Sequence, residues 1–235
     1  MSVGDIAGFT TVFLSVTSLL LALIGNFWCN YAVTTLTLTS NALGNSTSIP
    51  LYYGIWNYRY TGVVYGTTNG ESYAYSYQSC ASYSGEYGSA DTKWHSARAF
   101  TVLAVCLGGI GMFLSCAALG MPKLWKPASM LFLLTTLFQG LTFLFFQSNG
   151  CGAIPPLDEG TGSSAITASF SEVCGLAAAS KLGISATVIW FVTALTALAA
   201  GKQDAEEDRE VSGKQEDAAQ PEEALKQEDA AQVSN

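Results

Sequence analysis

The sequence predicts a membrane all-α protein: a left-handed bundle of four transmembrane helices, with a small extracellular antiparallel β-sheet formed by the first loop. Three observations support this fold class. Hydrophobic residues make up 49% of the 235 residues and charged residues only 12%, about half the charged fraction of a usual soluble domain. Four apolar runs each have roughly the 20 residues that a helix needs to cross a bilayer. All 11 tyrosines lie between the first two runs, from Tyr31 to Tyr87.

The four apolar runs carry no charge in their interiors, whereas a buried helix of that length in a soluble protein usually shows a polar stripe. We therefore expect transmembrane spans within a membrane domain of residues 1–201. The expected spans are about 6–25, 98–119, 128–147 and 178–200. The first run could instead be a cleaved signal peptide. Because Met1–Asp5 contains no Lys or Arg and the run exceeds the apolar region of a signal peptide, we interpret it as a retained helix.

Basic residues beside the spans set the expected orientation. They cluster between the second and third spans and after the fourth, and the positive-inside rule assigns such segments to the cytoplasm. These residues are Lys123, Lys126, Lys202, Arg209 and Lys214. We therefore expect a multi-pass plasma-membrane protein with both termini cytoplasmic and with two extracellular loops, 26–97 and 148–177.

The first loop has the pattern of a small antiparallel sheet of three or four strands. Asn30–Ser40 is rich in β-branched residues, and Leu51–Tyr58 and Tyr60–Thr67 are rich in tyrosine and valine, as strands usually are. The small polar stretch Asn41–Pro50 is expected to form a turn. Asn69-Gly70 is the strongest short hairpin signal and predicts a turn before the last strand.

The last of these strands carries a row of aromatic residues. Tyr73, Tyr75 and Tyr77 alternate with smaller residues, which places the three rings on one face of a strand. Tyrosine supplies large, rigid, amphipathic contact area, so the three could form a contact surface. The alternative is that they pack against the rest of the sheet. A sheet this small is marginal by itself, so we expect support from the helix ends, the second loop or a disulfide.

Four of the six cysteines, Cys29, Cys80, Cys151 and Cys174, lie in or beside the two outside loops, where oxidation is permitted. Four cysteines allow three connectivities, and the sequence does not choose among them. We favour Cys29–Cys80 with Cys151–Cys174, because each pair lies within one loop. The sequon at Asn45 also lies in the first loop and predicts glycosylation there.

Polar and small residues within the spans suggest helix contacts. Gln139 is expected to hydrogen-bond across helices rather than to line a pathway. Small residues recur at every fourth position in spans two and four, which predicts either packing within the bundle or lateral self-association into a homo-oligomer. They are Gly111, Ser115, Ala179, Gly183 and Thr187. Cys106 and Cys116, inside the second span, are expected to be buried thiols.

Residues 202–235 form an acidic tail with a 12-residue repeat. Eleven of the 18 acidic residues lie after residue 200, and the Lys-Gln pair at Lys202 recurs at Lys214 and Lys226. Because the tail has no aromatic residues, it cannot bury a core and is expected to be disordered. It could dock a cytoplasmic partner or be merely solvated. Its charge does not suit nucleic-acid binding, which needs a basic footprint.

Signals for catalysis are weak. The one histidine, His95, lies at the expected membrane edge beside Trp94 and Arg98, and it has no partner at a catalytic or metal-binding spacing. The sequence contains no phosphate-binding glycine loop, zinc spacing or nucleophile elbow. We therefore expect a protein that is not an enzyme and that needs no cofactor and no metal.

A family resemblance rests on Trp28, the triplet Gly54-Ile55-Trp56, and Arg98 at the start of the second span. On these residues the chain resembles the claudin superfamily, the four-span group that includes claudins, the peripheral myelin proteins and fungal plasma-membrane relatives. Members share the motif W…G-L-W-x-x-C…C in a large first outside loop, followed by a basic residue where span two begins. Here Arg59 stands where the first motif cysteine would be. The resemblance therefore implies that the disulfide has moved, to Cys29–Cys80.

The resemblance implies a non-enzymatic membrane organiser, acting in cell junctions, cell adhesion or membrane microdomains through lateral self-assembly and loop contacts. One alternative is an ion-conducting or paracellular-pore-type assembly whose outside loops line the path. Another is an accessory subunit of a different channel. The expected partners are the lipid bilayer, further copies of the chain through the small-residue helix faces and the outside loop, and a cytoplasmic partner of the tail.

Overall fold

The computed structural model describes residues 3–40, 46–68, 71–83, 91–148, 151, 166–170 and 174–203. At residues 3–5, 38–40, 60–68, 71–77 and 166–170 the description is of the backbone. The predicted acidic tail beyond residue 203, and with it most of the 12-residue repeat, lies outside the described residues.

Four helices in the described part of the chain are long and apolar enough to cross a membrane. They are α1 (Val3–Phe27), α2 (Thr92–Ala118), α3 (Trp125–Leu141) and α4 (Ala178–Gln203). Short 3-10 turns at Pro122–Leu124 and Thr142–Gln147 extend α3 at both ends, so the third apolar segment runs over Pro122–Gln147. The prediction of four long apolar helices is therefore confirmed.

The start of α2 lies earlier than the sequence predicted, at Thr92 rather than near residue 98. Asp91 precedes the helix, and one carboxylate oxygen of its side chain accepts a hydrogen bond of 2.9 Å from the backbone N–H of Trp94. Such a cap satisfies an N–H group that otherwise has no partner in the first turn. The cap therefore adds nearly two turns to the helix before the apolar run begins.

One cluster of buried residues, the bundle cluster, fills the middle of the helix bundle and its end remote from the sheet. Alanines surround three large rings, those of Trp125, Phe132 and Trp190. The rings of Phe132 and Trp190 stack with centroids 5.5 Å apart. A Cβ on Gly108 would lie 2.7 Å from the Trp190 ring, and one on Gly111 would lie 2.7 Å from the Phe132 ring. The glycines of α2 therefore make room for the rings of α3 and α4.

Helices α1 and α4 approach each other closely at a pair of glycines. A Cβ on Gly25 would lie 2.9 Å from the backbone nitrogen of Gly183 and 2.9 Å from the carbonyl oxygen of Ala179. Of the small residues noted in the sequence, Ser115 and Ala179 are fully buried. The structure thus uses these faces for packing within the chain, and assembly through the same faces stays a prediction.

The prediction that Cys106 and Cys116 are buried thiols is wrong. Both side chains are exposed on the outer surface of α2, and neither is in a disulfide. The interior face of this helix is instead taken by small residues such as Ala104, Gly108 and Ser115. Polarity alone could not distinguish the two faces, because cysteine is nearly as apolar as the residues around it.

Six strands in the described residues form one antiparallel sheet beyond the helix ends. They are β1 (Ala32–Ser40), β2 (Ser46–Tyr53), β3 (Asn57–Thr68), β4 (Glu71–Ser82), β5 (Ile166–Phe170) and β6 (Gly175–Leu176). The strand order is β4-β3-β2-β1-β5, and β6 also pairs with β1. Strand β1 is therefore central, between β2 on one side and β5 and β6 on the other.

Two of these strands come from the second loop, which the sequence analysis missed. Strand β5 pairs with Leu36–Ser40 and β6 with Ala32–Val33. The segment Ile166–Phe170 has apolar residues at its first, third and fifth positions, which is the alternation of a half-buried strand. That signal was available, but five residues are too few to separate from a loop without knowing that β1 has a free edge.

The boundaries around β2 also differ from the prediction. The expected turn Asn41–Pro50 is too long, because Ser46–Pro50 already pairs with β1. Pro50 is tolerated there because β2 meets β3 only at Tyr52 and Tyr53, so the strand has an open edge that needs no donor. The expected strand Leu51–Tyr58 is interrupted, since Gly54–Trp56 forms a turn.

Candidate functional site

The turn Gly54–Trp56 is the point at which the sheet meets the helices. The backbone N–H of Gly54 donates to the carbonyl of Asn57 at 2.6 Å. A Cβ at Gly54 would lie 2.6 Å from that same carbonyl oxygen and 2.6 Å from the carbonyl oxygen of Trp28. Only glycine fits this contact between two backbone segments. Two residues that carry the family resemblance, Trp28 and Gly54, are thus in direct contact.

Side chains of helix α2 hold the same turn by donating hydrogen bonds to its backbone carbonyls. The carbonyl of Ile55 accepts two hydrogen bonds of 3.0 Å, from the indole Nε1 of Trp94 and from Nε of Arg98. The carbonyl of Gly54 accepts one of 2.9 Å from the hydroxyl of Tyr83. The carbonyls of this loop therefore receive the hydrogen bonds they need from side chains: Trp94 and Arg98, four residues apart on α2, and Tyr83, just after β4.

Arg98 lies among aromatic rings. Its guanidinium carbon is 4.7 Å from the ring centre of Trp94, 5.2 Å from that of Trp56 and 5.7 Å from that of Tyr83. Trp56 in turn stacks on Phe27 at the end of α1, with centroids 5.9 Å apart. Cation–π contacts of this kind are each worth about 0.5–1 kcal/mol where exposed and more where water is excluded. Arg98 therefore links α1, α2 and the turn.

Below the sheet, Tyr31 is the centre of an aromatic group. It is fully buried, and three rings of the 3-10 turns after α3 lie within about 6 Å of it. These rings belong to Phe143, Phe145 and Phe146. Its hydroxyl shares a hydrogen bond of 3.2 Å with that of Thr142. Burial raises the pKa of the Tyr31 phenol, by more than the bond to Thr142 lowers it.

A pair of amides joins α1 to α3 just beneath Tyr31. Asn26 Nδ2 donates to Gln139 Oε1 at 3.0 Å, and Gln139 Nε2 donates to Asn26 Oδ1 at 3.1 Å. Both side chains are fully buried. The prediction that Gln139 bonds across helices is confirmed, and its partner was missed because Asn26 stands at the end of an apolar run, where an amide usually marks a loop.

Two disulfides tie the loops to this end of the bundle. Cys29–Cys80 joins residues 51 positions apart, from the root of β1 to β4, and Cys151–Cys174 joins residues 23 positions apart across the second loop. These are the two pairs that loop membership favoured. Cys80 lies opposite Arg59 in the β3–β4 register, and the Arg59 guanidinium is 5.1 Å from the ring centre of Tyr52. Arg59 therefore stands next to Cys80, whose partner is Cys29.

Asn45 lies outside the described residues. The backbone of Tyr73, Tyr75 and Tyr77 lies in β4, opposite Gly66, Val64 and Gly62, and the description there does not extend to side chains. In the part of the chain that the structure describes, no three His, Cys, Asp or Glu side chains come together as a metal site would require.

A scan of the chain against models of known protein families finds no match, and a search of curated proteins finds none either. The resemblance to the claudin superfamily therefore depends on the motif residues and on the arrangement of helices and loops.

Proposed function

We propose that this chain is a non-enzymatic, multi-pass plasma-membrane protein that organises membrane contacts or microdomains in the manner of claudin-like proteins, by lateral self-assembly and by contacts of its outside loops. One observation carries the proposal: the two loops form a single sheet that is fastened to the ends of the helices. A surface of that kind is suited to recognition, because a rigid partner loses less conformational entropy on binding.

The fastening involves several helices. Arg98 and Trp94 connect the sheet to α2, as described above. Cys29, just after α1, is bonded to β4. Near α4, the backbone N–H groups of Ala177 and Ala179 donate to the carbonyls of Tyr31 and Asn30, at 3.2 and 2.9 Å. Movement of the sheet would therefore require breaking contacts to several helix ends at once.

The shared sheet supports the proposed topology. A four-span chain has its first and third connections on the same side of the membrane, and strands from those two connections pair with β1 here. The described basic residues Lys123, Lys126 and Lys202 lie at the opposite end of the bundle. The positive-inside rule then assigns the sheet to the extracellular side.

The sheet also offers open edges for self-assembly. Strand β2 meets β3 only at Tyr52–Arg59 and Tyr53–Tyr58. Among the described strands, the β1–β2 arm and the β3–β4 hairpin therefore each have a strand edge without a neighbour beyond that point. Unpaired edges readily accept another strand. Tyr73, Tyr75 and Tyr77 lie along the hairpin, where they would add contact area between copies.

The helices contribute a surface for lipid. Large apolar side chains such as Phe13 and Phe113 are each 71% exposed, while the glycines at the helix crossings are used within the chain. Lateral assembly in this proposal therefore depends on the sheet more than on small-residue helix faces.

The proposal is tested with the full-length tagged protein in cultured cells. We expect Asn45→Gln to abolish a mobility shift that a glycosidase also removes, which reports an extracellular first loop. We expect cross-linking to recover oligomers of the wild-type chain, and replacement of Tyr73, Tyr75 and Tyr77 by serine to reduce them severalfold without loss from the cell surface.

Phe113→Ala, on the exposed face of α2, is the matched control and should leave the oligomers unchanged. A chain that stays monomeric at the cell surface would overturn the proposal. Conductance through a reconstituted bilayer, altered by charge reversal at Arg59, would favour the ion-conducting alternative instead.

A further inference from the structure

Arg98 has more hydrogen-bond donors than the protein uses. A guanidinium carries five N–H groups, and in the described part of the chain only Nε–H has a partner, the carbonyl of Ile55 at 3.0 Å. No described carboxylate neutralises its charge. The side chain is half-buried, and three aromatic ring centres lie 4.7, 5.2 and 5.7 Å from its guanidinium carbon.

Arg98 is one of four described cations at this end of the bundle. The others are Arg59, Lys93 and Lys181, and the acidic side chains of the two loops other than Asp91 lie outside the described side chains. Lys93 is occupied in part, since its Nζ donates to the carbonyl of Gln147 at 3.3 Å. Arg98 differs from the other three because three aromatic rings surround its guanidinium. Its N–H groups other than Nε–H have no partner among the described residues.

The surface beside Arg98 is apolar in the direction of the helices. Val102, one turn along α2, is 43% exposed. Trp56 connects Arg98 to Phe27, which is 43% exposed, and Leu23, one turn further along α1, is 37% exposed. A cation at the helix ends with exposed apolar side chains beneath it on two neighbouring helices matches a molecule that has an anionic head and apolar tails.

We propose that Arg98 binds the phosphate of an outer-leaflet phospholipid, whose acyl chains lie against α1 and α2 at Leu23, Phe27 and Val102. Arginine suits this role because its planar fork donates two parallel hydrogen bonds to phosphate oxygens. Trp28, 43% exposed at the same level, is typical of the interfacial belt where headgroups lie. The inference depends on the membrane orientation given under the proposed function.

The test is native mass spectrometry of the full-length protein in detergent, mixed with palmitoyl-oleoyl phosphatidylcholine or with the diacylglycerol of the same chains. We expect retention of the phospholipid and little of the diacylglycerol. Arg98→Gln should reduce phospholipid retention roughly tenfold, the scale of one charge-assisted hydrogen bond. Lys181→Gln is the matched control, because it removes an exposed cation from the same end and should change nothing.

Arg98 also supports the turn, so folding is checked by recovery of the Cys29–Cys80 disulfide. If the Arg98→Gln variant does not form this disulfide, the inference is tested by Arg98→Lys and by comparing retention of the two lipids on the wild-type chain. Arg98→Lys keeps the charge but loses the fork, and should retain phospholipid at an intermediate level. Equal retention of phospholipid and diacylglycerol by the wild-type chain would overturn the inference. So would displacement of the phospholipid by millimolar inorganic phosphate, which would indicate a site for free phosphate.

The readout does not require self-assembly. A monomer that retains phospholipid through Arg98 would contradict the proposed function and leave this inference standing. Oligomers that retain both lipids equally would support the proposed function and overturn this inference.

Discussion

The two buried clusters of this molecule are stabilised in different ways. The bundle cluster, around Trp125, Phe132 and Trp190, fits rings against alanines and glycines. The buried hydroxyls of the helices around it mostly bond within their own helix, as Thr193 does to the carbonyl of Ile189 at 2.7 Å. The second cluster, at the sheet end, is built around Tyr31, Ile55 and Trp94, and its contacts include hydrogen bonds between separate elements.

The difference follows from the surroundings that each cluster must satisfy. Between helices in lipid there is little hydrophobic drive toward association, so close packing of shapes decides the arrangement. Where chains turn and strands end, backbone carbonyls lose their regular partners and need side-chain donors. The stability of the sheet end therefore depends on specific hydrogen-bond donors. The stability of the bundle cluster depends on how well the volumes of its side chains fit together.

The largest expected effect is at the turn. Gly54→Ala would place a methyl group 2.6 Å from two backbone oxygens, neither of which belongs to a flexible side chain. We expect a loss of roughly 3 kcal/mol or more of stability, seen as poor recovery of the Cys29–Cys80 disulfide on non-reducing gels. Gly140→Ala, where a Cβ meets nothing within 4 Å, is the control. Normal recovery for both variants would refute the steric account of the turn.

A smaller effect is expected at the amide pair. Gln139→Leu leaves the buried amide of Asn26 without a partner, at a cost of about 1–3 kcal/mol, measured as a lower apparent melting temperature in detergent micelles. The double variant with Asn26→Leu should recover much of that loss, because no polar group is then left unpaired. Additive losses in the two variants would show that the pair is not coupled.

In the bundle cluster, Gly108→Ala tests volume alone. The new methyl would lie 2.7 Å from the Trp190 ring, a side chain that can shift, and alanine favours a helix over glycine by about 1 kcal/mol. We expect a net destabilisation of about 1–2 kcal/mol. Gly109→Ala, with nothing within 4 Å, should be neutral or stabilising. If the Gly108→Ala and Gly109→Ala variants have equal melting temperatures, packing of the Trp190 ring against Gly108 does not limit the stability of the bundle.

The smallest effect concerns Tyr53, whose buried hydroxyl has no hydrogen-bond partner among the described residues. Burial raises the pKa of this phenol to about 12 from the ordinary 10. Folding favours the neutral phenol. The contribution of this group to folding stability is therefore complete below pH 10 and is lost as the pH rises from 10 toward 12. Tyr53→Phe should leave neutral-pH stability unchanged or raise it by less than about 1 kcal/mol.

Ultraviolet titration of tyrosinate, alongside thermal unfolding at pH 9 to 12, checks this. The wild-type chain should lose stability across that range more steeply than the Tyr53→Phe variant. Equal slopes would mean that Tyr53 is accessible to water in the folded chain.

The sequence predicted the structure of the helix bundle more completely than that of the sheet end. Long uncharged runs can be satisfied only as helices in lipid, so the helices were predictable one by one. The amide of Gln139 was expected to bond across helices for the same reason. The inner and outer faces of α2 were not predictable, and Cys106 was placed on the wrong one, because the choice depends on which rings the neighbouring helices supply.

By itself, the sequence determined the four apolar helices, most strands of the first loop and the separation of the cysteines into two loops, because each depends on residues close together in the chain. Only the tertiary structure decided that the second loop completes the sheet, that Asn26 meets Gln139, and that Arg98 and Trp94 share the carbonyl of Ile55. Those contacts join residues 39 or more positions apart, and such pairings depend on how whole elements pack, which local sequence patterns do not encode.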